Sequence, residues 1–312
     1  MLNSSLRILW VKTGLLHPLD SGGKLRTYNM LKEIKKRHHI TFLALASSQI
    51  NSGWKEKASE YCHEVIAIPW KETSKFTWAF YLDLARNLAF SRLPYSIEKY
   101  WSSVMREEIR KLDDKGFDLF ACDFLTPAVN INGRLNTATL LFQHNVESQI
   151  WKRHYEAKNG LLSRSYFWVQ WKRMMAFEKN TCARFDAVVT VSPHDSEMLR
   201  SEFHLGNILG DVPTGVDIDY FYPPEKSLKK GNHLVFTGSM DWLPNEDAVL
   251  YFTKEIYPII KAAIPDVTLT IAGRNPSRKI SELHSSDSSI HITGTVDDIR
   301  PTWHLLQRSL CP

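Results

Sequence analysis

Short apolar runs alternate with longer stretches of helical period from the first residues onward, the pattern of βαβ units built on a parallel sheet. Leu6 to Val11 is the first predicted strand. Past the turn Asp20-Ser21-Gly22-Gly23, the spacing of Leu25, Tyr28, Leu31 and Ile34 predicts a helix over Lys24 to Arg37, and Ile40 to Ala46 reads as a second strand. Val65 to Ile68, Phe117 to Ala121, Ala138 to Phe142 and Phe185 to Val191 read as further buried strands. Between the first two of these lie two amphipathic helices broken near Pro94. Ser192, followed by Pro193 and Asp195, is a helix start whose hydroxyl is placed to cap.

The composition changes at Pro213, Gly215, Pro223 and Pro224, which crowd together ahead of Lys226, Lys229 and Lys230 as in an interdomain connection. The alternation then restarts, with strands over His233 to Thr237, Val267 to Ala272 and Ile290 to Thr293, and a helix over Pro244 to Ala263. Leu310 to Pro312 opens another strand. The expected organisation is α/β, with one domain over 1–215 and a second over 216–312.

Length and charge bound the rest. At 312 residues two domains are expected, and 43% apolar against 23% charged residues excludes disorder as the main state. The formal charge of +5 fits an anionic small ligand or a membrane surface and argues against nucleic acid as a partner. Cys62, Cys122, Cys182 and Cys311 are too scattered for a zinc site or a disulfide framework, so a reducing compartment is expected. No stretch has the length of a membrane span, and cytoplasmic residence follows by default.

Four strand-to-loop junctions carry candidate chemistry, because ligands of doubly wound sheets bind beyond the carboxyl ends of strands. Ser21-Gly22-Gly23 with Arg26 lets backbone N–H groups approach an anion, although a Gly pair before a helix is more often a turn. It is not a Walker A loop, since Pro18 and Leu25 occupy positions that need Gly and Ser/Thr. Gln143-His144-Asn145 sets an imidazole at a strand end, able to hydrogen-bond a hydroxyl or carbonyl; taken alone it fits a histidine that satisfies its loop better than a ligand. Gly238-Ser239 and Gly273-Arg274 open the loops after two strands of the second domain. There small residues leave room for a phosphate and Arg274 offers a guanidinium fork; the plain alternative is an ordinary loop. Asp217-Ile218-Asp219 imitates a metal-binding pair but falls in the interdomain turn and reads as solvated loop, so no metal is expected. Trp151 to Asn180 mixes aromatic and basic residues. Such a face is expected to be half core and half solvent, with peripheral membrane contact as the second reading.

In order along the chain, these pieces resemble family-four retaining glycosyltransferases, the branch of bacterial exopolysaccharide sugar transferases. The matching motifs are Ser21-Gly22-Gly23 with Arg26, Gln143-His144-Asn145, Phe185 to Ser192, Pro213-Thr214-Gly215-Val216-Asp217 with Phe221 and Pro223, and Phe236 to Met240. Asp241-Trp242 with Pro244-Asn245 is the most specific. The resemblance implies two Rossmann-like domains of the GT-B kind facing across a cleft, with no metal cofactor. The first would hold a glycan or lipid-linked acceptor and the second a nucleotide sugar. His144 would contact the donor sugar; Gly22, Gly23, Gly238, Ser239 and Arg274 would lie on the donor side, and Arg26 and Asn145 on the acceptor side. Transfer would proceed with retention, resting on positioning and on neutralising the departing diphosphate.

Two departures accompany the resemblance. Relatives carry an Arg and a Lys on the diphosphate where this chain has Ser239, Met240 and then Asn245. Relatives also continue past Cys311-Pro312 into a Gly-rich loop and a Glu-bearing helix, so the second domain is expected to be incomplete and the chain possessed of a missing tail. An inactive sugar-nucleotide-binding fragment of the same fold is therefore the alternative function, and nucleotide-sugar epimerisation a third.

Overall fold

The computed structural model describes residues 5–47, 53–222 and 231–303. The chain divides into two compact units, Met1–Gly215 and Val216–Pro312. The strand expected at Leu310, Cys311, Pro223, Pro224 and the lysines 226, 229 and 230 lie outside the described residues.

The first unit is a seven-stranded, wholly parallel sheet in the order β3-β2-β1-β4-β5-β6-β7. Its strands are β1 (Arg7–Lys12), β2 (His39–Ser47), β3 (Glu64–Trp70), β4 (Leu119–Asp123), β5 (Thr139–Phe142), β6 (Ala187–Thr190) and β7 (Ile208–Asp211). Parallel strands packed by helices on both faces must be apolar on both faces, and β1 and β2 are almost uninterrupted buried runs. Alternate side chains feed two cores: Leu9, Val11, Leu43 and Phe120 enter one, and Ile8, Trp10, Phe42 and Ala121 the other. The strand order reverses between β1 and β4, which opens a crevice at their carboxyl ends.

Helix starts follow local chemistry. Ser192 Oγ accepts from Asp195 N at 3.1 Å and donates to its carboxylate at 2.7 Å, with Pro193 in the first turn of Pro193–Phe203. Before Pro94 the helix Trp78–Phe90 ends, and beyond it the strongly amphipathic Ser103–Asp113 buries Met105, Ile109 and Leu112.

The second unit, as described, holds a three-stranded parallel sheet of β8 (His233–Thr237), β9 (Thr268–Ala272) and β10 (Ile290–Gly294), with β9 central. The single helix expected over Pro244 to Ala263 is three joined pieces: Leu243–Tyr251, a π turn at Phe252–Ile256 and Tyr257–Ala263. The π turn absorbs Pro258, whose ring and missing N–H an unbroken α ladder cannot accommodate. Tyr257 is buried there and its hydroxyl donates to Val267 O at 3.0 Å, ahead of β9.

Candidate active site

The two strands that flank the topological switch end in opposite charges. Pairing of Val11 with Cys122 sets Lys12, last of β1, beside Asp123, last of β4, and both side chains are buried. Asp123 Oδ2 accepts from Lys12 Nζ at 2.7 Å, Thr27 Oγ1 at 2.6 Å and Trp10 Nε1 at 3.1 Å. Thr27 stands on the helix Gly22–Ile34, so the Gly-rich loop and its helix are tied to this carboxylate. The other oxygen, Oδ1, lies 2.6 Å from Nε2 of His144, two residues past β5.

These contacts fix the protonation of the site. Burial acts to raise the Asp123 carboxyl, but the Lys12 ammonium and the His144 hydrogen bond outweigh it, and the pKa falls well below the carboxylate range. Burial lowers the imidazole pKa of His144; Asp123 opposes that, and the charges of Lys12 and Arg26 add to it, leaving a ring that is neutral at pH 7. A carboxylate only accepts, so Nε2 carries the proton and Nδ1 presents its lone pair. The ring plane is set as well: Phe124 stacks on it at 3.9 Å between centroids, and Phe142 meets it edge-on at 4.7 Å. Phe124 takes a left-handed backbone, φ 79, unusual for an aromatic residue, with Lys12 Nζ 4.8 Å from its ring.

The remaining first-unit residues fall as follows. A side-chain carbon on Gly23 would stand 3.3 Å from the Phe124 ring, so Gly23 accommodates that aromatic, while Gly22 faces open space. Arg26 is half-buried over Phe142 and donates to Thr214 Oγ1 at 3.1 Å and to Val212 O, so its guanidinium holds the chain that leaves β7. Asn145 is exposed. Its loop is anchored from below by the buried Glu178, which accepts from Gln143 Nε2 at 2.6 Å and from the backbone N–H groups of Glu147 and Ser148 at 2.7 and 2.9 Å. Burial raises the Glu178 pKa to about 7.

In the second unit the loops after β8, β9 and β10 are hydrogen-bonded together. Gly238 N donates to Ala272 O, Met240 N to Arg274 O and Gly273 N to Gly294 O. A Cβ on Gly273 would lie 1.6 Å from Gly238 O, so the second glycine exists for backbone contact. Arg274 Nε donates to Ser239 Oγ at 2.6 Å, Ser239 donates to Asp241 Oδ1 at 2.6 Å, and the Arg274 guanidinium lies 3.6 Å from Asp241 Oδ2. Gly238, Ser239 and Arg274 thus form one cluster, with Arg274 charge-paired to Asp241. Asp217 Oδ1 accepts from the N–H groups of Asp219 and Tyr220, closing an exposed turn. Among the described residues no group of three metal-ligating side chains occurs, and no helix is long and apolar enough to cross a membrane. In the segment expected to be half core and half solvent, several rings join two helices: Tyr155 of Glu147–Glu156 stacks on Trp171 of Leu161–Arg184 at 5.6 Å, and His154 on Phe167 at 5.6 Å, while Trp168 is exposed.

Residues 231–312 match the family model described as Glycosyl transferases group 1. An uncharacterized 44.6 kDa protein of the cps region of Klebsiella pneumoniae is 20% identical over 282 residues, 88% of this chain; the chain spans 66% of that relative. Among solved structures, sucrose-phosphate synthase of Thermosynechococcus elongatus superposes with a TM-score of 0.65 at 14% identity, over 97% of this chain and 74% of that one. HepE of Anabaena, solved with UDP and glucose, gives 0.56 at 12%, over 97% and 73%. A variant of TarM from S. aureus, solved with fondaparinux, alpha-GlcNAc-glycerol and UDP, gives 0.60 at 9%, over 97% and 80%. The fold is GT-B.

Within this GT-B chain the motifs point to His144 and not to Lys12, Asp123 and Phe124, which the structure gathers around it. A signal for the first two was present: apolar runs that each stop on a charge of opposite sign, RILWVK and LFACD. Phe124 gave none, because its role depends on a backbone conformation that aromatic residues rarely adopt.

Proposed function

We propose that this chain is a glycosyltransferase that moves a sugar from a nucleotide-sugar donor to a glycan or lipid-linked acceptor, with retention and without a metal, in the assembly of a surface polysaccharide at the inner face of the membrane. The observation that carries the reading is the neutral, oriented imidazole of His144 at the switch point, held by a buried Asp123 that is itself balanced by Lys12. An Nδ1 lone pair accepts from a hydroxyl, which a sugar supplies in quantity, and it repels a phosphate oxygen. His144 therefore takes a sugar hydroxyl, and the stronger that bond becomes as charge develops at the anomeric carbon, the more it accelerates transfer. In the second unit, Gly238 and Ser239 with Arg274 take the diphosphate. HepE and TarM, which bind UDP together with a sugar or glycan, support a nucleotide-sugar donor, and the cps-region relative supports a polysaccharide product.

Titration of the chain with UDP, GDP and ADP, followed by turnover of radiolabelled donors and by NMR of the anomeric configuration in the product, tests this reading. Absence of binding to every nucleotide diphosphate refutes it, and inversion in the product refutes retention. A second reading, nucleotide-sugar binding without transfer, is favoured by the Arg274 pairing with Asp241 and by Ser239, Met240 and Asn245 where two cations are expected. Tight binding with no turnover supports it.

A further inference from the structure

The helix Trp78–Phe90 lacks the usual division into a buried and a polar face. Of its 13 residues only Asn87 is buried. Inward contact runs through Phe80, edge-on to Tyr95 at 5.7 Å, and through Asn87, which Gln170 and Arg173 hold at 2.9 and 3.2 Å. The outward side carries Trp78 and Leu82, one turn apart and 90% and 68% exposed, and Phe76 just before the helix is held at φ 64 with 80% of its surface in water. Grouped apolar side chains of this size mark an interaction surface rather than ordinary surface scatter.

Charge decides what covers it. Lys71, Lys75, Arg86 and Arg92 are exposed along the same segment, and among the described residues none is in an ion pair. Of the two carboxylates of that segment, Glu72 is ion-paired with Lys99 at 2.5 Å, and Asp83, which accepts from Thr73 at 2.8 Å, is the single negative charge left against those four cations. The surface is therefore apolar with an unbalanced cationic rim. A second copy of the chain would set these cations against their own kind, whereas a bilayer with anionic headgroups offers an apolar interior and phosphate charge together.

We propose that this face docks on an anionic phospholipid surface, with the helix Trp78–Phe90 in the headgroup plane and Phe76, Trp78 and Leu82 at the acyl boundary. The docking does not depend on the transferase reading, although a lipid-linked acceptor would be met at such a surface.

The test sediments the full chain with vesicles of phosphatidylcholine alone or mixed with phosphatidylglycerol, without sugar nucleotide, at low and high salt. Binding is expected only to the mixed vesicles, weakened about tenfold by salt. A Trp78→Ser, Leu82→Gln variant and a separate Lys75→Glu, Arg86→Glu variant each lose about tenfold or more in vesicle affinity with unchanged melting, because none of the four side chains is buried. No vesicle binding by the parent chain overturns the proposal, as does undiminished binding by the first variant. A dimer in light scattering that the first variant converts to monomer, with no vesicle binding, overturns it in favour of a second copy. A chain that transfers sugar but ignores vesicles refutes the docking alone, and one that binds vesicles but no nucleotide refutes the transferase alone.

Discussion

Replacing Asp123 by Asn separates what its charge does from what its shape does. All the groups around it act as donors: Lys12, Thr27 and Trp10 on one oxygen, His144 on the other. An amide has one accepting oxygen and one donating nitrogen, and three donors claim the oxygen. The NH₂ then faces His144, which must turn over its tautomer, taking the proton onto Nδ1 and accepting on Nε2. Nδ1, which the proposed mechanism assigns to a sugar hydroxyl, changes from acceptor to donor. If the lost hydrogen bond is worth about 3 kcal/mol in the transition state, kcat falls about 10²-fold with little change in KM. Lys12, 9% exposed at its side chain, also loses its counter-charge, and an uncompensated buried cation costs about 3–5 kcal/mol of stability. The double change Asp123→Asn with Lys12→Met should recover most of that stability and none of the turnover, which a double-mutant cycle of melting and kcat measures. Nitrogen shifts of labelled histidine report the tautomer directly. Wild-type kcat in Asp123→Asn, or an Nε2–H tautomer persisting there, would refute the reasoning.

Replacing His144 by Ala should leave nucleotide affinity and melting nearly unchanged and lower kcat, by about 10²-fold in transfer assays. Because burial depresses the His144 pKa below its usual value, the neutral form predominates at pH 7; turnover should stay level through neutrality and fall only as pH drops through that depressed value, a profile that rules out the assignment if the limb lies above pH 7. Glu178 has a folded pKa raised to about 7, so its contribution to stability is full below the unfolded carboxyl value and is lost as pH rises towards 7; Glu178→Gln should flatten that part of the stability curve in denaturant titrations. Gly273→Ala forces a carbon against Gly238 O and should destabilise the second unit by about 3 kcal/mol or more, seen as early loss of that unit in limited proteolysis.

Strands that pack on both faces were legible because such strands must be apolar throughout: β8 was expected over His233 to Thr237 and is found there, and β2 and β9 differ by a residue or so at their ends. β7 was not legible. Ile208–Asp211 lies at the sheet edge, contains Gly210 at φ 148 and runs on to Pro213, all of which read as turn. Trp78–Phe90 is legible as an amphipathic helix, but not the exposure of its apolar residues Trp78 and Leu82, since an apolar stripe normally marks the buried face. For the site, the sequence marks the loops and conceals the partners. Lys12 and Asp123 are 111 positions apart, and only the register of β1 on β4 brings them together.

That register has a consequence for redesign. Lys12, Asp123 and His144 sit at or just past the ends of three neighbouring strands, whose separation of about 4.8 Å is dictated by the backbone ladder and not by the side chains. No substitution along β1, β4 or β5 can widen or narrow that spacing. An attempt to retune the hydroxyl proposed to meet His144 should therefore leave the strands alone and work on the aromatic plate of Phe124 and the brace that Arg26 makes to Thr214.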